Sequence, residues 1–468
     1  LAVRGWVPNK GGMDEAFRVQ VVVAGAGACG AVAALAAHGA GAQVLVLEQD
    51  AVARGSTAMS QGLICAAGTA AQRAAGVTDD AERFYADIME KTRGLTDPGL
   101  ARTIAAHAGP CLDWLAAEQG LPHTLDTRFR AAYGHSVARV HGWEGHGGED
   151  LIGFLHARLQ AAAVDVLFQA RLVEILAEPD GTVTGVVVER PGGEREAIGC
   201  GALVLATSGF GANAAMVARH MPEAAQAVFH GHEGNDGAGM LLGAGLGGAL
   251  ADLGAYQGYG MLTDPQGISV PPGFLVEGAI LVDAAGRRFV DEVADISGLV
   301  LPVTARPGGV AWVIFDEAIE GRCLYVPETQ VLRALNAART GETAEALAAR
   351  IGADGGILAG ALAEAWAAAE AGRADAVGRV WGADRPPAGA LRALRVRGAL
   401  YHTQGGLQVD GRARVMRADG SALPNVFAGG GAARGVSGPG AWGYLPAMGL
   451  CAAVTLGWVA GREAALLS

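Results

Sequence analysis

Residues 18–50, RVQVVVAGAGACGAVAALAAHGAGAQVLVLEQD, restrict the architecture more than any other stretch of the chain. Val21, Val22 and Val23 form a continuous apolar run, as suits a parallel strand buried on both faces. Gly25, Gly27 and Gly30 then give G-x-G-x-x-G. Residues 31–37 read as an alanine-rich helix, and residues 43–47 as a second strand that ends on Glu48, 18 residues beyond Gly30. A lone glycine triplet is a weak signal. With a strand before it, a helix after it and an acid at the second strand's end, it reads as the βαβ unit of a dinucleotide-binding sheet. The glycines let the chain turn tightly beside a pyrophosphate at the helix N-terminus, and Glu48 accepts hydrogen bonds from ribose hydroxyls.

The glycine excess extends beyond this motif. The 468-residue chain contains 73 glycines, about twice the usual share, without period and set between apolar runs. Such glycines serve tight turns and close backbone contacts and argue against collagen-like or disordered structure. The length exceeds what one ordinary core fills, so two domains are expected. The formal net charge of -12 argues against nucleic acid or an anionic membrane as partner, because phosphate binding needs clustered Lys and Arg. Cys29, Cys65, Cys111, Cys200, Cys323 and Cys451 are scattered without a C-x-x-C pair. This usage suits reduced thiols in a cytoplasm, with neither a disulfide framework nor a zinc site.

Residues 1–12, LAVRGWVPNKGG, lack the apolar segment of a secretory signal and read as a leader or expression remnant. Residues 445–461 form an apolar run shorter than the ~20 residues that span a bilayer. Gly449, Gly457 and Gly461 interrupt it and no basic flank accompanies it. A buried helix is expected there, not a membrane span.

From Val164 to Ala206 the pattern becomes alternating strands, with EPDGT and RPGGE as hairpin turns. It closes on ALVLATSGFGAN (202–213), a buried strand entering a small-residue turn. Residues 246–395 are less regular and more helical; TAEALAARIGADGG and LAGALAEAWAAAEAGRADA read as amphipathic, solvent-facing helices. Strand-and-turn character returns in GALYHTQGGLQVDGRARVM and LPNVFAGGGAARGV. GAGLGG (243–248) lacks a following strand and acid and reads as helix packing. The expected fold is α/β: a Rossmann-type nucleotide-binding domain with a parallel sheet and an antiparallel β-meander. Residues 14–245 and 396–468 form it, and an α+β capping domain, residues 246–395, is inserted between them.

The fingerprint with Glu48, GSTAMSQGLICAAGT (55–69), ALVLATSGFGAN, GAILVDAAGRRFVDE, YHTQGGLQVD and the closing PNVFAGGG…GWVAG occur in this order. Together they resemble the FAD-dependent fumarate reductase and succinate dehydrogenase flavoprotein superfamily, which includes the 3-ketosteroid dehydrogenases. The resemblance covers nearly the whole chain, and the combination of segments is what is specific. It implies FAD in an extended form, with a cap closing substrate over the flavin ring. The implied cofactor contacts fall on Gly25, Gly27, Ala28 and Gly30, on Glu48 and Gln49, and on Gly55, Ser56, Thr57, Ser60 and Gly62. Others fall on Ala206, Thr207, Ser208 and Gly209, on Asp236, on Gly430 and Gly431 (where the family has an acid in place of Gly431), and on Pro446 and Ala447. Covalent members have a histidine near GST. This chain has Ser56 and Thr57, so noncovalent FAD is expected.

On the substrate side the chain departs from fumarate reductases. The cap arginine that serves them as proton donor, just before an Asp, corresponds to Ala294 before Asp295. Their second arginine, which holds a substrate carboxylate at the start of the last helix, corresponds to Tyr444. Their cap histidine falls near Tyr256 and Tyr259, while His402, in YHTQGG, is kept. Tyrosines facing a flavin are similar to those of the ketosteroid dehydrogenases, where hydroxyls polarise a ketone and exchange an α-proton. SGPGAW, with Gly440 and Trp442, resembles the glycine turn that donates a backbone N–H to the ketone there. The tyrosine preceding that turn is Val436 or Ser437 here.

Tyr444, Tyr259 and His402 are therefore the catalytic candidates, and Tyr256, Arg139, His141, Gly440 and Trp442 the substrate-side ones. Arg139 and His141 lie in a histidine-rich stretch (133–148) without carboxylate or cysteine spacing for a metal, read as a loop over the flavin. Plainer readings stand beside these: Tyr444 as a core residue bonded to a carbonyl, His402 as a loop stabiliser, Cys29 and Cys65 as small packing residues.

The expected function is that of an FAD-dependent oxidoreductase acting on a CH–CH bond adjacent to a carbonyl: dehydrogenation of a ketone, cyclic in the preferred reading, or reduction of the enone. The flavin carries the hydride, which leaves orientation, proton transfer by a tyrosinate-like base and charge stabilisation to the protein. The alternatives are a fumarate reductase-like reduction of an unsaturated carboxylate using His402 and Arg139, and an FAD-binding protein without turnover. The expected partners are a small-molecule substrate and an unidentified electron acceptor or donor, with no nucleic acid, no metal and no membrane span.

Overall fold

The computed structural model describes residues 17–128 and 131–467; the expected leader and residues 14–16 of the first domain part lie outside them. Val21–Val23 are fully buried because their strand, Arg18–Ala24, is central. Val44–Leu47 pairs with one edge and Arg195–Leu205 with the other, both parallel. The sheet runs Arg414–Met416, Ala422–Ala428, Arg195–Leu205, Arg18–Ala24, Val44–Leu47, Asp165–Leu167. Only the first of these pairs is antiparallel. Arg195–Leu205 joins the parallel and the antiparallel parts of one eight-stranded sheet. Its second half lies in the parallel array, and its first half pairs antiparallel with Val183–Glu189, which pairs in turn with Arg171–Ala177. A parallel sheet with a meander is the result. Because Ala422–Ala428 sits beside Arg195–Leu205, the two ends of the chain share one sheet.

The cap is built on Leu391–Thr403, which pairs antiparallel with Tyr256–Thr263 and with Val310–Asp316. The helices Ala344–Ile351 and Gly355–Ala371 cover this sheet through Leu347, Leu358, Leu362 and Ala365, packed with Ile280, Ile314 and Trp381. The expected cap boundary at residue 395 falls inside Leu391–Thr403, and Val228–Phe229 also pairs with that strand, at Ala399 and Leu400. A local sequence pattern marks a strand but not the sheet that receives it. The consequence is functional: one strand leaves the cap and ends on His402 and Thr403. GAGLGG lies at the end of the helix Ala238–Gly245, where a Cβ on Gly243 would meet Leu407 at 2.6 Å.

The apolar run near the C-terminus forms the helix Met448–Ala465, packed on the first helix, Ala28–Gly39. A Cβ on Gly457 would lie 2.3 Å from the Cys29 carbonyl oxygen, and one on Gly461 would lie 2.1 Å from that of Ala33. Two glycines four residues apart thus let the helices meet backbone to backbone. No described helix is long and apolar enough to cross a membrane.

Gly457→Ala should therefore destabilise the protein by about 1–3 kcal/mol through overpacking. Gly360→Ala, on an exposed helical face where an added Cβ meets nothing within 4 Å, should stabilise it by about 0.5–1 kcal/mol. Thermal unfolding of the two variants side by side checks this; equal Tm values would remove the helix contact from the account.

Candidate active site

A cleft of about 810 Å3 opens between the nucleotide-binding domain and the cap, within the ~300–1,000 Å3 typical of small-molecule and cofactor sites. Gly25, Gly27, Ala28, Glu48 and Gln49 line it from the first βαβ unit, and Tyr259, Tyr401 and His402 from the cap sheet. Tyr444, Pro446 and Ala447 line it from the approach to the last helix.

The nucleotide side is shaped by close backbone crossings. Gly25 has φ +105°, and a Cβ there would sit 2.4 Å from the Ala206 carbonyl oxygen. Glu48 reaches back to the turn: Oε2 accepts from Ala26 N–H at 3.0 Å and Oε1 from Asp50 N–H at 3.0 Å. Burial pushes its pKa up, against the pull of these two bonds. Thr57 Oγ1 accepts from Ala28 N–H at 3.0 Å, and Ser60 Oγ donates to the Thr57 carbonyl. Ser56 Oγ accepts from Asn235 Nδ2 at 2.9 Å and lies 3.3 Å from Ser208 Oγ, so three polar groups meet on the wall. Gly55, Ala206, Thr207, Gly430 and Gly431 complete this side. Asp236 lines the cleft too, but its carboxylate is held by Ala238 N–H and by Arg171 at 2.6 Å.

Three expected cofactor contacts do not line the cleft. Gly30, Gly62 and Gly209 stand behind its wall, where a Cβ would meet the Gly25 carbonyl oxygen at 1.8 Å, that of Gly147 at 2.9 Å and Thr403 Oγ1 at 1.9 Å, respectively. Their role is packing. The remaining hydroxyls and amide, the glycine turn and the acid fit FAD, which Glu48 and the Ser56–Asn235–Ser208 group would help to hold.

On the substrate side the structure brings Tyr444 and His402 together. Their rings meet edge to face at 5.7 Å. A Cβ on Gly449 would lie 2.9 Å from His402 Nε2 and 3.4 Å from Tyr444 Oη, so both groups converge on the first turn of the last helix. Tyr444 Oη accepts from Gly449 N–H at 3.3 Å. Burial raises the Tyr444 pKa and lowers that of His402 to about 4, so the phenol keeps its proton and the imidazole is neutral.

Tyr259 lines the cleft but donates its hydroxyl proton to the Val270 carbonyl, and burial pushes its pKa well up. It is a wall residue, not a base. Tyr256 is buried away from the cleft; strand alternation presents Gln257 and Tyr259 there instead. Arg139 is fully buried and paired with Asp79 at 2.8 Å and Asp87 at 2.6 Å. His141 bonds to Thr69 Oγ1 at 2.8 Å and to the Arg139 carbonyl. Neither touches the cleft; both pin the loop whose residues 142–150 line it. Gly440 and Trp442 also lie outside the lining, with the Arg93 guanidinium 4.3 Å over the Trp442 ring. Sequence reading missed, among others, the lining groups Asn235, Gln257, Tyr401 and Gln404, although Tyr401 and Gln404 lie beside His402 in the YHTQGG motif. Among the described residues, no group of three or more His, Cys, Asp or Glu is placed to hold a metal.

Glu48→Ala should weaken FAD binding by about 1–3 kcal/mol, the loss expected for charge-assisted hydrogen bonds. Titration of apoprotein with FAD, followed by flavin fluorescence, measures it; unchanged affinity would remove Glu48 from the ribose.

A family model described as the FAD binding domain matches residues 20–443. The chain is 29% identical over 455 residues to a fumarate reductase (cytochrome) of Shewanella frigidimarina, covering 96% of this chain and 77% of that protein. Among solved structures, the open conformation of a flavocytochrome c3 fumarate reductase superposes with a TM-score of 0.79 at 27% identity, covering 96% of this chain and 78% of the other. The 3-ketosteroid-Δ4-(5α)-dehydrogenase of Rhodococcus jostii, in complex with 4-androstene-3,17-dione, gives 0.77 at 26% identity, covering 97% and 98%. The chain therefore belongs to the FAD binding domain family and is an FAD-dependent oxidoreductase of the fumarate reductase and ketosteroid dehydrogenase superfamily.

Proposed function

We propose that the protein oxidises or reduces a CH–CH bond next to a ketone, with a cyclic ketone or enone as substrate class and noncovalent FAD as cofactor. The observation that carries this reading is the convergence of two neutral hydrogen-bonding groups, the Tyr444 hydroxyl and His402 Nε2, beside Gly449. Bound FAD supplies the hydride acceptor or donor. Tyr444 accepts from Gly449 N–H, so its own proton is free to be donated to a ketone oxygen. His402, neutral at pH values above about 4, adds a second donor. Two fixed donors in a buried site would polarise the ketone and stabilise negative charge on its oxygen. Tyr259 and Tyr401, with ring centroids 5.3 Å apart, wall this space against water. With its pKa raised, Tyr444 serves as a donor and not as a tyrosinate base, while Tyr259, its proton bound to the Val270 carbonyl, belongs to the wall.

A dicarboxylate needs cations. Ala294, at one expected arginine position, is exposed and outside the cleft lining, and Tyr444 occupies the other. Arg139 is committed to two aspartates. The identity with fumarate reductases and the retained His402 favour a second reading, reduction of an unsaturated carboxylate. Thr57 spends its hydroxyl on Ala28 N–H, which supports noncovalent attachment. The six cysteines are buried and unpaired, in keeping with a cytoplasmic setting.

Denaturation should release free FAD; flavin retained on the unfolded chain would overturn noncovalent binding. Cyclic enones should turn over faster than fumarate with a dye as electron carrier. The opposite ranking would establish the carboxylate reading, and no turnover of either would leave a binding protein. Tyr444→Phe should lower kcat roughly 10²–10³-fold, as for loss of one oxyanion donor, at unchanged FAD content. A fully active Phe variant would remove this hydroxyl from the mechanism.

A further inference from the structure

His402 has two ring nitrogens, and only one carries the proton in the neutral ring. We propose that Gln404 is a positioning residue that fixes this choice, its side-chain amide donating to Nδ1 so that Nε2–H faces the cleft. Gln404 Nε2 lies 3.0 Å from His402 Nδ1, and Gln404 Oε1 accepts from Ser437 Oγ at 3.2 Å. Gln404 and Ser437 are both buried. A Cβ on Gly435 would stand 2.5 Å from Gln404 Oε1, so the residue beside the amide has room only for hydrogen. The Gln404 backbone is held as well, its N–H donating to the Ala255 carbonyl and its own carbonyl accepting from Gly435 N–H.

The competing arrangement has Nδ1–H donating to the Thr403 carbonyl. That contact is 3.4 Å, beyond the usual 2.7–3.2 Å of such bonds, and a single nitrogen cannot accept from Gln404 while donating to Thr403. The Gln404 contact is the shorter, and it leaves the proton on Nε2, the nitrogen directed at Gly449 and Tyr444. Burial keeps the ring neutral, so the choice of tautomer decides whether the cleft sees a donor or a lone pair. A lone pair there would oppose a substrate carbonyl oxygen. The chain Ser437–Gln404–His402 therefore converts an ambiguous imidazole into a donor parallel to the Tyr444 hydroxyl.

This assignment rests on the proposed function only in treating His402 as a donor to substrate. It is tested on the FAD-loaded protein labelled with ¹⁵N-histidine, His402 being identified by the signals lost in His402→Ala. The wild type should show a protonated Nε2 and an unprotonated Nδ1 near neutral pH. Gln404→Glu offers Nδ1 only an acceptor and should move the proton to Nδ1 or protonate both nitrogens, with kcat lowered at least about tenfold. Nδ1–H in the wild type, or an unchanged signature in Gln404→Glu, overturns the proposal. Should the Glu variant not fold, the wild-type spectrum alone decides. The expected signature in a protein inactive on ketones leaves the tautomer assignment standing and sinks the functional reading; the wrong tautomer in an active enzyme does the reverse.

Discussion

The first and last helices meet with no side chain between them at Gly457 and Gly461, and the site depends on that contact. The carbonyl oxygens of Cys29 and Ala33 occupy the space that Cβ atoms would take. The N-terminus of the first helix, with Ala28 bonded to Thr57, and that of the last helix, preceded by Tyr444, are thereby brought to one cleft from opposite ends of the chain. Gly30 and Gly25 make the same kind of crossing within the fingerprint. The glycine content thus serves the cofactor twice. Some glycines, such as Gly25 and Gly27, line the cleft, and others let the elements that carry the lining approach one another.

Charge is distributed in a complementary way. The fully buried cations are kept behind the walls: Arg139 is bound by Asp79 and Asp87, and Arg379 in the cap by Glu292 and Asp384. Removing one partner from such a set would leave an uncompensated buried charge, costly by about 3–5 kcal/mol. These pairs therefore fix the loop at residues 142–150 and the base of the cap without presenting charge to substrate. What remains around Gly449 is neutral: a phenol, an imidazole and an amide. Oriented dipoles of this kind can stabilise developing negative charge in a buried site, while of the arginines that line the cleft Arg128 is paired with Glu144 and Arg171 with Asp236.

The parts of this arrangement that are local in sequence were legible. Strand, glycine turn, helix and acid lie within 33 consecutive residues, and each has a direct structural counterpart. The substrate side was less so, for identifiable reasons. Tyr256 and Tyr259 are three apart on a strand, so they point to opposite faces, and only the register shown by Gln257 tells which one reaches the cleft. Arg139 looks like a ligand-binding arginine until Asp79 and Asp87, more than fifty residues upstream, are placed against it. Leu391–Thr403 reads as a strand in any window, but its membership in the cap sheet depends on pairing with residues 256–263 and 310–316. Chemistry carried by single residues is visible in sequence. Chemistry decided by who pairs with whom is not.

Gln404 shows where that boundary falls. In YHTQGG it reads as loop polarity, two residues from a histidine and with no motif of its own. Its meaning comes from Ser437, 33 residues on, which anchors one end of the amide, and from Gly435, whose missing side chain makes room for it. A histidine in a dry site is chemically incomplete without such a neighbour, because burial removes its charge but does not say which nitrogen keeps the proton. The same holds for Tyr444. Its hydroxyl oxygen accepts from Gly449 N–H, which leaves its own proton uncommitted. For both residues a neighbouring hydrogen bond, from Gln404 to His402 and from Gly449 to Tyr444, bears on which proton is left to face the cleft.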